Sequence, residues 1–186
     1  HRESRGLGDV YKRQSLYNVE QLEILRGPNA LLFGRGGTGG LINRVSKKAE
    51  IGEAFGSFDF GADSFGAADL AVDANFATSD TTAVRLNLHT DQLANHRDFY
   101  EGERYGINPT VKIVAGDTIV DLSYEYADHE RFIDRGIPTA NNRPVESLKD
   151  VVFGVEGLNL QTLEASILRA NVAHDYSDNG KFNMSF

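Results

Sequence analysis

The 186 residues suffice for one domain, a quarter of them are charged, and the net charge is -8. That acidic balance excludes nucleic acid as a partner, because phosphate binding needs a basic footprint. The lack of cysteine excludes disulfides, zinc ribbons and thiol chemistry, and no run approaches the ~20 apolar residues of a spanning helix, so a membrane could be crossed here only by a β-barrel.

Residues 1–14 carry six charges without helical or strand periodicity. They are set apart as an artefact or a disordered arm. No signal peptide opens the chain, as expected of a mature or truncated exported protein. Residues 15–50 are compact and mixed. Val19, Leu22, Ile24 and Leu25 make a short apolar segment, broken at Gly27-Pro28. Ala30 to Phe33 suits one helical turn, with Pro28 near its start. Gly34 to Gly40 is a glycine-rich loop, and Leu41 to Ser46 reads as a short strand.

From Ala54 the texture becomes alternating. Leu70, Val72, Ala74 and Phe76 oppose Asp69, Ala71, Asp73 and Asn75; Val84, Leu86 and Leu88 oppose Arg85, Asn87 and His89. Tyr105, Ile107, Val111 and Ile113 oppose Arg104, Asn108, Thr110 and Lys112. Val120, Leu122, Tyr124 and Tyr126 oppose Asp121, Ser123 and Glu125, and Ala170, Val172, His174 and Tyr176 oppose Arg169, Asn171 and Ala173. Period two with one apolar face is the strand pattern. Short turns are expected at Ser79-Asp80, Gly116-Asp117 and Ser177 to Gly180. Long connections are expected from Leu93 to Glu103 and from His129 to Thr162, while the link at Asp63-Ser64 is brief. Alternating short turns and long loops, with Tyr105, Tyr124, Tyr126 and Tyr176 near strand ends, fit a transmembrane barrel. A soluble sandwich shares the alternation, but its strands are typically ~5–6 residues, against ~9–11 for a tilted membrane span. Pro109 predicts a bulge, because it cannot donate to a ladder.

Gly34-Arg35-Gly36-Gly37-Thr38-Gly39 satisfies G-x-G-x-x-G, and Asp59 lies near the distance of a ribose contact. A dinucleotide site needs that loop to follow a strand and open a helix. Here a helical turn precedes it and strand-like residues follow. The histidines offer no metal spacing: His89 and His96 are seven apart, and Asp128-His129-Glu130 reads as a solvated strand end. No serine, histidine and carboxylate pattern suggests nucleophilic catalysis, so no enzyme is predicted.

Asn18-Val19-Glu20-Gln21-Leu22-Glu23-Ile24-Leu25-Arg26-Gly27-Pro28 runs into Leu31-Leu32-Phe33-Gly34-Arg35-Gly36 and then Thr38-Gly39-Gly40-Leu41-Ile42-Asn43-Arg44-Val45-Ser46-Lys47. This resembles the end of the plug domain in TonB-dependent siderophore receptors. Arg104-Tyr105-Gly106-Ile107-Asn108-Pro109 resembles a barrel strand of that family. Asp134-Arg135-Gly136-Ile137-Pro138 and Asn142-Arg143-Pro144-Val145 resemble one of its extracellular loops.

The resemblance implies a mainly β fold in which residues 15–50 are the C-terminal part of a plug. Residues 51–186 would be the first antiparallel strands of a transmembrane barrel, forming a curved open sheet with the plug on its concave side. It implies a cell outer-membrane receptor that imports ferric siderophores, driven by TonB, with lipid outside the barrel and no cofactor of its own. Phe33, Gly34 and Arg35 would lie at the plug apex facing the ligand, and Arg135 would reach it from the loop. Phe33 is equally suited to packing on the barrel wall. Arg26 matches a family arginine that pairs with barrel glutamates; those glutamates are not among these residues. The family's TonB box, the first half of its plug and most of its ~22 strands are likewise absent from them. Where hydroxamate-receptor relatives place aromatics before the loop proline, Asp134, Arg135 and Gly136 stand here, which leaves the ligand class open. A receptor for cobalamin or an oligosaccharide and a soluble β-sandwich binding module are the competing readings.

Overall fold

The computed structural model describes residues 16–26, 40–177 and 180–186. β1 (Val19–Arg26) and β2 (Gly40–Ser46) form an antiparallel pair. The chain then runs through β3 (Phe55–Ala62), β4 (Ala68–Ser79), β5 (Thr82–Ala94), β6 (Glu101–Ala115) and β7 (Thr118–Phe132). A small hairpin of β8 (Thr139–Ala140) and β9 (Arg143–Pro144) follows, then β10 (Leu160–Ser177) and β11 (Gly180–Ser185). Strands β3 to β7, β10 and β11 make one seven-stranded antiparallel sheet, each strand beside the next in sequence except across the inserted hairpin. The sheet is open among the described residues, with β3 and β11 at its edges. Apart from one 3-10 turn at Glu146–Leu148, the described residues contain no helix.

The packing is inverted relative to a soluble domain. Among the described residues four apolar ones are buried, three of them alanines: Ala49, Ala83, Ala127 and Phe132. Nine buried residues are polar, among them Asn75, Arg85, Asn87, His89, Asn108, Glu125 and His129. Phe58, Phe60, Phe76, Ile107, Leu122 and Leu168 are exposed. Burial on β5 alternates residue by residue, with Ala83, Arg85, Asn87 and His89 on the covered face. Val84, Leu86 and Leu88 take the other face, as the alternation predicts. Residues 16–26 and 40–50 cover the polar face through contacts described below.

On the outward face the register stacks apolar residues in rows. Val84 lies beside Val111, which lies beside Leu122, which lies beside Ala170. Phe58, Val72, Leu88, Ile107 and Tyr126 form another row. One step towards the long loops the row becomes Thr90, Tyr105, Asp128 and Glu164. The apolar band ends there on tyrosines. Tyr105 and Tyr126 have ring centroids 6.0 Å apart. The Tyr105 hydroxyl donates to Asp128 at 3.0 Å, and that of Tyr126 donates to Glu164 at 3.2 Å. A ring that is apolar along its body and hydrogen-bonded at its tip suits an apolar-to-aqueous boundary.

β10 shows where that band stops. Leu168, Ala170 and Val172 face outward in its second half, but Thr162, Glu164 and Ser166 face outward in its first half, with Leu163, Ala165 and Ile167 inward. The apolar phase therefore switches inside one strand. The alternation from Arg169 marks only the second half, and the strand begins nine residues earlier, at Leu160.

Pro109 makes no bulge. Ile107 pairs with Tyr126 and Thr110 with Ser123 in one unbroken register, which places Pro109 opposite Tyr124. The missing proline N–H is replaced by a side chain: Asn108 Nδ2 donates to the Tyr124 carbonyl at 2.7 Å. With the carbonyl satisfied, no extra residue is needed to relieve the ladder. The expected connection from Leu93 to Glu103 is also shorter, because β5 runs to Ala94 and β6 starts at Glu101. The connection after β7 stays long and holds the β8–β9 hairpin, turned by Asn141 and Asn142 at φ 50 and 59. Asparagine tolerates that left-handed backbone better than most residues.

Candidate functional site

Two constellations stand out, one under residues 16–26 and 40–50 and one on the long loops. The first centres on Arg85, whose side chain is 4% exposed. Its Nε and Nη2 donate to the two carboxylate oxygens of Asp73, each at 2.8 Å. Its Nη1 donates to the Lys48 carbonyl and to Glu50 Oε1, both at 3.0 Å. Glu20 lies 3.3 Å from Nη2. The guanidinium also sits 5.0 Å from the centre of the Phe55 ring. Arg85 thus joins the sheet to the segment that covers it, using the planar fork lysine lacks.

Further ties surround it. Lys47 pairs with Asp73 at 2.9 Å and Lys48 with Asp121 at 3.0 Å. Asn75 accepts from the Glu50 N–H at 3.0 Å and donates to the Glu50 and Glu53 carbonyls at 2.8 Å. Tyr17 stacks on His89 with centroids 4.7 Å apart. Gly106 makes room for that ring, since a Cβ there would meet the Tyr17 hydroxyl oxygen at 2.8 Å. Burial pushes the Tyr17 phenol pKa above its ordinary value, and the charge of Glu125 adds to the effect. Both side-chain polar atoms of Asn87 and the Tyr17 hydroxyl lack a hydrogen-bond partner among the described residues. This contact is polar, unlike a dry apolar core.

The second constellation centres on Arg97, between β5 and β6. Its Nε and Nη2 donate to Asp134, after β7, and its Nη1 and Nη2 donate to the carbonyls of Lys149 and Val151, each at 2.9 Å. Asp134 also accepts from the Gly136 N–H at 2.8 Å. Burial works against ionisation of Asp134, but the Gly136 N–H and Arg97 outweigh it and hold the carboxyl below the usual carboxylate range.

Of the residues singled out from sequence, Phe33, Gly34 and Arg35 lie outside the described residues, as do the glycine loop from Gly34 to Gly39 and the arm 1–14. Arg26 ends β1, exposed and opposite Gly40. Arg135 is exposed on the long loop, next to Asp134. Asp59 sits on the edge strand β3, also exposed. No group of histidine, cysteine or carboxylate side chains among the described residues is placed to hold a metal. Two nodes went unmarked in the sequence reading. Arg85 carried a signal, a charged residue in the middle of an alternating apolar run. Arg97 carried none, because its partners stand 37 and more residues away.

No protein-family profile matches the chain. The chain is 28% identical over 177 residues to the probable TonB-dependent siderophore receptor PiuA of Acinetobacter baumannii, covering 90% of this chain and 24% of that protein. It is 33% identical over 138 residues to the catecholate siderophore receptor Fiu of Escherichia coli K12, covering 73% of this chain and 18% of that protein. Its fold superimposes on the ferripyoverdine receptor of the outer membrane of Pseudomonas aeruginosa, crystallised with ferripyoverdine, with a TM-score of 0.75 at 19% identity over 91% of this chain and 24% of that one. The chain spans about a quarter or less of the length of these proteins, which are receptors rather than enzymes. On sequence and fold together, it is homologous to a segment of the TonB-dependent siderophore receptors.

Proposed function

We propose that this chain is part of an outer-membrane receptor that imports ferric siderophores without catalysis. One observation carries the reading: a sheet with a polar buried face and a tyrosine-edged apolar outer face, in a chain homologous to such receptors. A soluble sandwich buries the apolar face of its strands, the opposite of this arrangement. In the proposed assembly residues 51–186 supply the first strands of the barrel wall, with lipid outside. Residues 15–50 belong to the plug that fills the lumen. TonB would act on that plug from the inner membrane, and a polar contact, with few buried apolar side chains, suits a segment that must rearrange. The ferric siderophore is cargo, not a resident cofactor.

Within this reading Phe33, Gly34 and Arg35 form the plug apex, and Arg135 faces them from the long loop. Arg35 would attract an anionic ferric chelate with a charge that cannot be titrated away. The test uses the complete receptor and a panel of ferric catecholates and hydroxamates. Arg35→Ala is expected to weaken binding of the best ligand while the amount in the outer membrane stays constant. The difference should shrink as salt is added. Unchanged affinity for every chelate would contradict the direct contact, and so would a plug that misfolds in the variant.

A further inference from the structure

The connection from β7 to β10 is long, and long loops without their own core are held by specific ties or not at all. Its ties include the Ile133 N–H to the Asn159 carbonyl at 2.7 Å and the Val145 N–H to the Pro138 carbonyl at 3.1 Å. The second closes the base of the β8–β9 hairpin between the two limbs, but neither reaches Asp134 or Lys149–Val151. Arg97 does, from a different loop, with one guanidinium bonded to both limbs. Arg97 is itself fixed, since its N–H donates to Asn95 Oδ1 at 2.8 Å. The Arg97 and Asp134 side chains are 14% and 7% exposed, so the pair is shielded from solvent.

The cations of this region divide by role. Arg85, Arg104, Arg169, Lys47, Lys48 and Lys112, on the covered face or its contacts, each have a carboxylate partner. Arg135, Arg143 and Lys149, on the long loop, have none among the described residues. Yet Asp134, beside Arg135, and the Lys149 carbonyl bond the same guanidinium. The backbone that carries Arg135 and the backbone of Lys149 are thereby tied to one guanidinium, in a chain whose net charge is -8.

We infer that Arg97 is a positioning residue that locks the two limbs of the long loop together and so presents Arg135 and Lys149 jointly to an anionic ligand. The inference rests on the receptor reading for its ligand but not for its geometry. Arginine is required because one fork must serve a carboxylate and two carbonyls at once. A lysine can serve the carboxylate alone.

The experiment uses the complete receptor in lipid, with spin-label pairs from Thr162 on the wall to Thr139 on one limb and to Ser147 on the other. Arg97→Ala should broaden both distance distributions, and Asp134→Asn should broaden that of Thr139 more. Arg97→Lys should restore the Thr139 distribution and leave that of Ser147 broad, a split that a general loss of folding cannot produce. Distributions unchanged in Arg97→Ala, or both restored by lysine, would overturn the inference. A parallel titration with an iron(III) tris-catecholate tests the receptor reading separately, with Arg97→Ala expected to bind about tenfold more weakly, ~1.4 kcal/mol. Broadened distances with unaltered chelate binding would support the lock and count against that chelate as cargo.

Discussion

Replacing Arg85 with methionine is expected to destabilise the complete receptor by about 3–5 kcal/mol, the usual cost of removing one partner from a buried ion pair. The loss falls mainly on Asp73, whose side chain is 12% exposed and keeps, among the described residues, only Lys47, at 2.9 Å. Glu50 and Glu20 are 44% and 53% exposed and can turn to water, so they add little. The Lys48 carbonyl loses its donor as well. The segment from Lys47 to Glu53 should therefore exchange its amide hydrogens faster than the sheet does. Urea unfolding of the detergent-solubilised receptor measures the total, and a cost below ~1 kcal/mol would place Arg85 among ordinary surface ion pairs. Removing Asp73 along with Arg85, as Asp73→Leu, should recover much of the loss, because the uncompensated charge goes with it.

The next residue should show the reverse preference, for an apolar side chain over a charged one. Leu86→Arg introduces on the outward face the residue that Arg85 supplies on the covered face. It should cost ~2–4 kcal/mol if Leu86 lies near mid-bilayer. Its row, with Ala74 on one side and Pro109 on the other, lies inside the apolar band and away from the tyrosine edge. Thr90→Arg, four residues on and beside Tyr105, should cost only ~0–1 kcal/mol because it sits at the boundary. The ordering of the two variants in refolding titrations is the sensitive readout. Equal costs, or a negligible cost at Leu86, would remove lipid from this face.

Much of this was legible in the sequence because the side-chain period of a strand is two and a one-residue slip would expose the whole polar face. Strands β4 to β7 and their turns at Ser79-Asp80 and Gly116-Asp117 follow from that alone. The first half of β10 did not, since its apolar phase switches near Ile167 and Leu168, where the strand leaves the band. Pro109 misled for a local reason, the Asn108 side chain standing in for a backbone donor. The Arg85 node was half legible: its face could be read, but not its partners, which come from Glu20, Lys48, Glu50 and Asp73. The Arg97 lock joins three loop segments distant in sequence, and no local pattern encodes such a tie.

The central claim is that the polar face of this sheet points into a receptor and the apolar face into lipid. The chain has no cysteine, so single labels can be placed without background from it. Nitroxides at Leu122, Ser123, Tyr124 and Glu125 of the complete receptor in bilayers would be exposed in turn to oxygen, which collects in lipid, and to a water-soluble nickel chelate. The account predicts high oxygen accessibility at Leu122 and Tyr124, and low accessibility to both reagents at Ser123 and Glu125. Nickel access at Leu122 and Tyr124, or no alternation along the four positions, would contradict it.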